Sequence, residues 1–291
     1  MRTVTKVAEL RPLLDRERRA GSTVGFVPTM GALHEGHLSL VARARADCEA
    51  VVLSIFVNPL QFGPGEDFER YPRDAEKDWT QSERAGVDFL FVPSVDEMYP
   101  AGAPETVVEV GRIGEISEGA RRPGHFNGVA TVCLKLFNTV GPCRAFFGRK
   151  DAQQLAAVRR MVSDLNLPVE IVGCPTVREV DGLAMSSRNV YLDGRSRAAA
   201  AVLSRSLFEA RSIAAEGERS AEKLERIVAD RVGAEPLMRL QYVEAVHPET
   251  FEEVDEIAEG TILALAAEIG KTRLIDNVTL TSEASETEVE G

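Results

Sequence analysis

The chain has 291 residues, 44% hydrophobic and 27% charged, with a formal net charge of −12. That length suits one large domain or, more naturally, two, and the composition is that of an ordinary globular protein, which excludes collagenous, disordered and disulfide-scaffold classes. The acidic balance gives no counterion-release drive onto nucleic acid, so a nucleic-acid partner is not expected, although a local basic cleft is still allowed. The four cysteines, Cys48, Cys133, Cys143 and Cys174, form no CxxC pair and read as reduced, half-buried thiols of a cytoplasmic protein. Residues 1–12 interrupt every apolar stretch with charge, and no apolar run approaches the ~20 residues that span a bilayer, so neither a signal peptide nor a membrane anchor is expected.

From residue 23 onward, short apolar runs alternate with amphipathic stretches. Residues 23–27 form a β-prone run ended by Pro28, and 51–57 another ended by Asn58 and Pro59. Residues 87–92 end at Pro93, 144–147 at Gly148, and 169–172 near Gly173. Such short, continuously apolar runs stopped by Gly or Pro are expected of parallel strands buried on both faces. Helical patterns lie between them at 38–46, 75–85, 129–140 and 152–165, the last with Leu155, Val158, Met161, Val162 and Leu165 on one core stripe. This alternation predicts an open, doubly wound α/β domain over residues 1–176. Beyond it, helices at 193–216 and 221–232 precede strands at 240–246, 261–267 and 272–278, which predicts a smaller α+β domain over 177–280. Residues 281–291 hold four Glu and no cation and are expected to be disordered.

Three turns could carry chemistry. The first predicted strand runs into Pro28-Thr29-Met30-Gly31-Ala32-Leu33-His34-Glu35-Gly36-His37, a glycine-bearing turn at a helix start, where free N–H groups and the helix dipole attract phosphate. Gly31 and Gly36 allow close backbone approach, and His34 and His37, three apart, share a face once helical. Capping or packing histidines fit the same spacing. Gly148-Arg149-Lys150-Asp151 again joins a strand end to a helix start. There a cation is unfavourable beside the positive dipole end unless an anion lies between, and Gln154 could face the same crevice. An Asp151 cap with a solvated Lys150 is the plainer reading. Met185-Ser186-Ser187-Arg188-Asn189 offers two hydroxyls and a guanidinium to a polyphosphate, or is an ordinary capped loop. Taken together, the three turns read as a site for a nucleoside triphosphate across the carboxyl edge of the sheet.

Gln61, after the second predicted strand, lines the same edge and suits a hydroxylated acid, although Gln is also a common surface residue. The arginines of the loops at 71–74 and 121–128 could receive an anion or a partner subunit, but the plainer reading is an exposed basic face. No GxxxxGK[ST], GxGxxG after a strand, or GxSxG occurs, and no metal-ligand cluster is evident, which leaves Mg²⁺ carried on the triphosphate as the expected ion.

The stretches 26–37, 54–63, 147–154 and 175–189, in this order and spacing, resemble the pantothenate synthetase (pantoate–β-alanine ligase) family of the nucleotidylyltransferase superfamily over about residues 1–280. The resemblance implies a Rossmann-like domain of the HxGH type with a C-terminal lid, and a homodimer that condenses pantoate and β-alanine with ATP and Mg²⁺ through a pantoyl adenylate. It implies His34, His37 and Lys150 as catalytic residues, with His37 the proton donor. Met30, Gly31, His34, His37, Gly148, Lys150, Asp151, Val177, Met185, Ser186, Ser187 and Arg188 are implied for ATP, and Gln61 and Gln154 for the second substrate. The family usually has Glu before the motif lysine, where this chain has Arg149. Two other readings are nucleotidyl transfer to another small acceptor and a catalytically silent nucleotide-binding regulator.

Overall fold

The computed structural model describes residues 1–280; the expected acidic tail, 281–291, lies outside them. The described residues divide into two compact units. The first comprises 1–115, 119–148 and 157–174; the second comprises 116–118, 149–156 and the chain from Pro175 onward, so 149–156 groups with the second unit.

The first unit is built on β1 (Arg2–Val4), β2 (Val24–Thr29), β3 (Ala50–Ile55), β4 (Phe89–Phe91), β5 (Cys143–Gly148) and β6 (Val169–Cys174). They form one parallel sheet in the order β1-β4-β3-β2-β5-β6. Its helices are α1 (Val7–Arg19), α2 (Glu35–Asp47), α3 (Ala75–Arg84), α4 (Val95–Met98), α5 (Glu118–Arg121, whose first residue groups with the second unit), α6 (His125–Val140) and α7 (Ala152–Asp164, whose first five residues do likewise). This is the Rossmann-like α/β architecture expected, with β2 and β3 buried almost throughout. The chain passes outward from β2 through β3 to β4, and from β5 to β6, so the sheet order reverses between β2 and β5. In open α/β sheets, ligands bind at the carboxyl ends of the strands flanking such a switch point.

Several local expectations are corrected. Residues 1–22, where the sequence shows no clear pattern, hold β1 and α1; β1 is a three-residue edge strand, and α1 buries only Leu10 and Leu14 and contains Pro12, so its apolar stripe is faint. Pro28 does not end β2. Pairing to β5 is confined to Gly25 and Phe26, while β3 accompanies β2 as far as Thr29, whose hydroxyl donates to the Ser54 carbonyl at 2.8 Å. Leu165 falls past the end of α7 and is 47% exposed, unlike Leu155, Val158 and Met161 on the stripe.

The second unit packs α8 (Gly194–Ala200), α9 (Val202–Ala215) and α10 (Ala221–Gly233) with β7 (Met238–Val246), β8 (Ile262–Ile269) and β9 (Thr272–Thr279). The strands form an antiparallel sheet in chain order, the small α+β arrangement expected. The single helix expected at 193–216 is instead two, joined at Ala201. The core gathers Leu203, Leu207, Leu224, Val228, Leu263 and Leu265. Leu207 is fully buried, and Leu207→Ala is expected to cost about 2–5 kcal/mol of unfolding free energy, read from urea titration.

Candidate active site

The turn after β2 is held by a residue remote in sequence. Gly31 and Ala32 both adopt positive φ, 81° and 51°. The second of these is strained for a residue with a side chain. Asp78, on α3 and 2% exposed, accepts from the Ala32 N–H at 2.9 Å and the Leu33 N–H at 2.8 Å. The space over Gly31 is filled by the same carboxylate: a Cβ there would lie 2.8 Å from Asp78 Oδ2 and 3.0 Å from Ile55. The turn itself thus requires glycine at position 31, apart from any approach of a ligand to its backbone.

His34 is the N-cap of α2 in extended conformation, and its Nδ1 accepts from the Gly36 N–H at 3.2 Å. Only His37 is helical, so the expected common helix face does not exist. The two rings nevertheless meet, centroids 4.1 Å apart and planes tilted by 40°.

Gln61, 8% exposed, is fixed from both ends. Its side-chain oxygen accepts from Asn58 Nδ2 at 3.2 Å, and its amide nitrogen donates to Met30 Sδ at 2.9 Å. Asn58 is held in turn by the Tyr99 hydroxyl, which donates at 2.8 Å, and by the carbonyl of Gly128, which accepts at 3.1 Å. Burial pushes the Tyr99 phenol well above its ordinary pKa, so it remains a donor.

The Gln61 carbonyl meets His125 Nδ1 at 2.8 Å and accepts from Arg122 Nη2 at 3.3 Å. Arg122 has only donors to offer His125 Nε2, 3.0 Å away, so the hydrogen sits on Nδ1 and is donated to Gln61. Arg122 also forms a two-pronged ion pair with Glu66, both contacts 2.7 Å. Desolvation opposes the Glu66 carboxylate, but the bonds and charge of Arg122 outweigh it and hold its pKa below the usual range. Arg122 is therefore turned inward, correcting the exposed basic face expected of that loop.

In the second unit, Arg149–Asp151 form a 3-10 turn leading into α7. Lys150 Nζ lies 3.8 Å from Asp151 Oδ1, with the ammonium side chain 18% exposed. Gln154 is half-buried, whereas Gln153 is buried and donates to the Ile116 carbonyl at 2.8 Å.

Residues 177–185 fold back as a tight hairpin, in which Val177 O accepts from Met185 N at 3.0 Å and Arg178 bridges Ala184. The hairpin delivers Ser186 as cap of the 3-10 turn Ser187–Tyr191, its hydroxyl accepting from the Arg188 N–H at 3.3 Å. Arg178, 7% exposed, anchors the hairpin through a double contact with the buried carboxylate of Asp276, at 2.7 and 3.0 Å. Removing one partner would strand the other charge in the interior, at a cost of about 3–5 kcal/mol.

Sequence reading missed Asp78, Tyr99, Asp276 and Asn277, which lie far along the chain from the groups they hold, and took 121–128 as surface. The one usable signal was Asp276-Asn277 itself, two polar residues inside an apolar strand run.

Fold and side chains together define a protein of the Rossmann-like α/β class whose turns after β2, β3 and β5 each carry polar groups. A family model described as pantoate-beta-alanine ligase matches residues 2–279. A pantothenate synthetase of Heliobacterium modesticaldum is 55% identical over 278 residues, covering 96% of this chain and 99% of that protein. The crystal structure of pantothenate synthetase from Thermus thermophilus is 53% identical and superposes with a TM-score of 0.91, covering 97% of this chain and all of that one. The pantoate-beta-alanine ligase of Francisella tularensis, solved in complex with beta-gamma ATP and beta-alanine, is 32% identical with a TM-score of 0.79, covering 97% and 98% of the two chains. The chain belongs to the pantoate–β-alanine ligase family.

Two substitutions probe the first unit's geometry. Asp78→Asn offers an amide donor to one of the two N–H groups, of which that of Leu33 is buried and that of Ala32 partly so, and is expected to cost about 1–3 kcal/mol in urea unfolding. Gly128→Ala places a Cβ 2.2 Å from the Leu60 carbonyl and 2.8 Å from the Gln61 N–H. It is expected to displace the turn that carries Gln61 and to lower the urea midpoint of unfolding below that of the wild type.

Proposed function

We propose that the chain condenses (R)-pantoate with β-alanine to give pantothenate, AMP and pyrophosphate, for coenzyme A biosynthesis, through a pantoyl adenylate. In the first step a pantoate carboxylate oxygen attacks the α-phosphorus of ATP. The bond to the α,β-bridging oxygen breaks and pyrophosphate departs with the electron pair. In the second, the neutral β-alanine amine attacks the acyl carbon, the acyl–oxygen bond to AMP breaks, and the amine loses a proton.

Attack by one anion on another is governed by positioning and charge neutralisation. Lys150 takes the developing charge at the α-phosphate, and Ser186, Ser187 and Arg188 hold the departing pyrophosphate. His34 and His37 contact the phosphates, with His37 supplying a proton to the leaving group. Met30 and Gly31 lie along the phosphate path, Gly148 and Asp151 take the ribose hydroxyls, and the Val177 backbone and Met185 bound the adenine. Gln61 and Gln154 grip pantoate; the four-sided hold on Gln61 pre-orients it. The observation that carries this reading is the presence, in a chain matched by the ligase family over residues 2–279, of both the paired-histidine turn after β2 and the Lys150 turn after β5.

Among the described residues no group of three or more His, Cys, Asp or Glu is placed to hold a metal ion. In this reading Mg²⁺ arrives on the triphosphate, where it would offset phosphate charge. The reading also includes a homodimer in the cytoplasm; among the described residues no helix is long and apolar enough to cross a membrane.

Exchange of labelled pyrophosphate into ATP, with pantoate present and β-alanine omitted, is expected, and only when pantoate is added. ATP binding without exchange would favour the silent regulator. Lys150→Ala is expected to slow single-turnover adenylate formation at least ~100-fold, comparable to loss of one oxyanion donor; an unchanged rate would remove Lys150 from the mechanism.

A further inference from the structure

Asp276 and Asn277 sit side by side on β9, 2% and 9% exposed. A polar pair inside a buried strand is unfavourable unless its hydrogen bonds are made within the protein. Asp276 binds Arg178, the residue that anchors the hairpin before Ser186, and its Oδ1 also accepts from the Asn277 N–H at 2.8 Å. Asn277 has a different target. Its side-chain nitrogen donates to the carbonyl of Arg149 at 3.0 Å and to that of Lys150 at 2.8 Å. Its own carbonyl accepts from Arg178 Nη2 at 3.2 Å.

Two consecutive carbonyls gripped by one amide fix the orientation of two peptide groups. The Cα–Cβ direction of Lys150 follows from them. That direction matters because the lysine stem is flexible, and a charge that must meet one phosphate oxygen gains from a fixed base. The nearest polar relatives would not substitute: Asp at this position offers no donor to the carbonyls, and the Ser hydroxyl is one atom shorter and offers only one.

We propose that Asn277 is a positioning residue for Lys150, setting where the ammonium meets the nucleotide phosphate. The proposal rests on the reading of Lys150 as the group that neutralises the α-phosphate. Through Asp276, Arg178 and Asn277, one two-residue step of β9 braces both the lysine turn and the hairpin that leads to Ser186.

The test is a double-mutant cycle in the full chain: Asn277→Ala, Lys150→Ala and the pair, each followed by single-turnover adenylate formation from ATP and pantoate without β-alanine. ATP affinity is measured by calorimetry and fold by thermal unfolding. Asn277→Ala is expected to slow adenylate formation about 10–100-fold, the scale of a catalytic group misplaced by about 1 Å, while ATP affinity changes less than about threefold. In the Lys150→Ala background the same substitution is expected to slow the step no more than about twofold further, because residues acting through one another are not additive. If Asn277→Ala does not fold, Asn277→Ser, whose shorter hydroxyl does not reach both carbonyls, carries the same cycle with a comparable loss.

A wild-type rate for the folded Asn277 variant, or an equal loss with and without Lys150, overturns the proposal while leaving the role of Lys150 intact. A wild-type rate for Lys150→Ala overturns the underlying reading and the proposal with it.

Discussion

A parallel strand covered on both faces has no room along its length for a side chain that must meet a ligand. β2 and β3 are in that position: nearly every residue on them is buried. The constraint pushes the polar groups past the strand ends, into the turns that follow Thr29, Ile55 and Gly148. There the paired histidines, Asn58 with Gln61, and the Lys150 turn are found. The reversal of strand order between β2 and β5 gives two of these turns adjacent strands to follow.

Moving chemistry into turns creates a second problem. A turn has no ladder to satisfy its N–H and C=O groups, and an unsatisfied buried group is costly. Each turn is therefore tied down by a side chain from elsewhere, and the chemistry of the tie matches what the turn presents. After β2 the turn presents N–H groups and is met by a carboxylate, Asp78. After β5 the chain presents carbonyls and is met by an amide, Asn277. Beside Gln61 a backbone carbonyl faces the donors of Arg122 and His125, and Glu66 balances the guanidinium charge. The ties also tell like residues apart. Gln153 is spent on holding the 116–118 segment, which leaves its neighbour Gln154 as the half-buried amide in the first turn of α7.

What local patterning can encode was legible in the amino-acid sequence. Apolar runs bounded by Gly and Pro located five of the six parallel strands, and the change of character after residue 176 separated the α/β part from the α+β part. The motifs at 26–37, 54–63, 147–154 and 175–189 carried the family. Short or weakly periodic elements escaped: β1 has three residues, and the α1 stripe is interrupted by charge and Pro12. Pro28 and Ala201 misled for a related reason. Whether a proline ends a strand depends on which neighbour needs its missing N–H, and whether an alanine-rich helix stays continuous depends on what it packs against.

The candidate site divides along the same line. His34, His37, Gln61, Lys150 and Ser186 stand in local motifs, so the amino-acid order alone established which groups are available and which family they belong to. Their geometry came only with the tertiary structure: His34 as a cap rather than a helical residue, Gln61 held from both ends, and Lys150 braced by a strand more than a hundred residues later. A hydrogen bond between residues 127 positions apart leaves no periodicity for a sequence pattern to carry, because its partners become neighbours only once the sheet that bears one of them has formed.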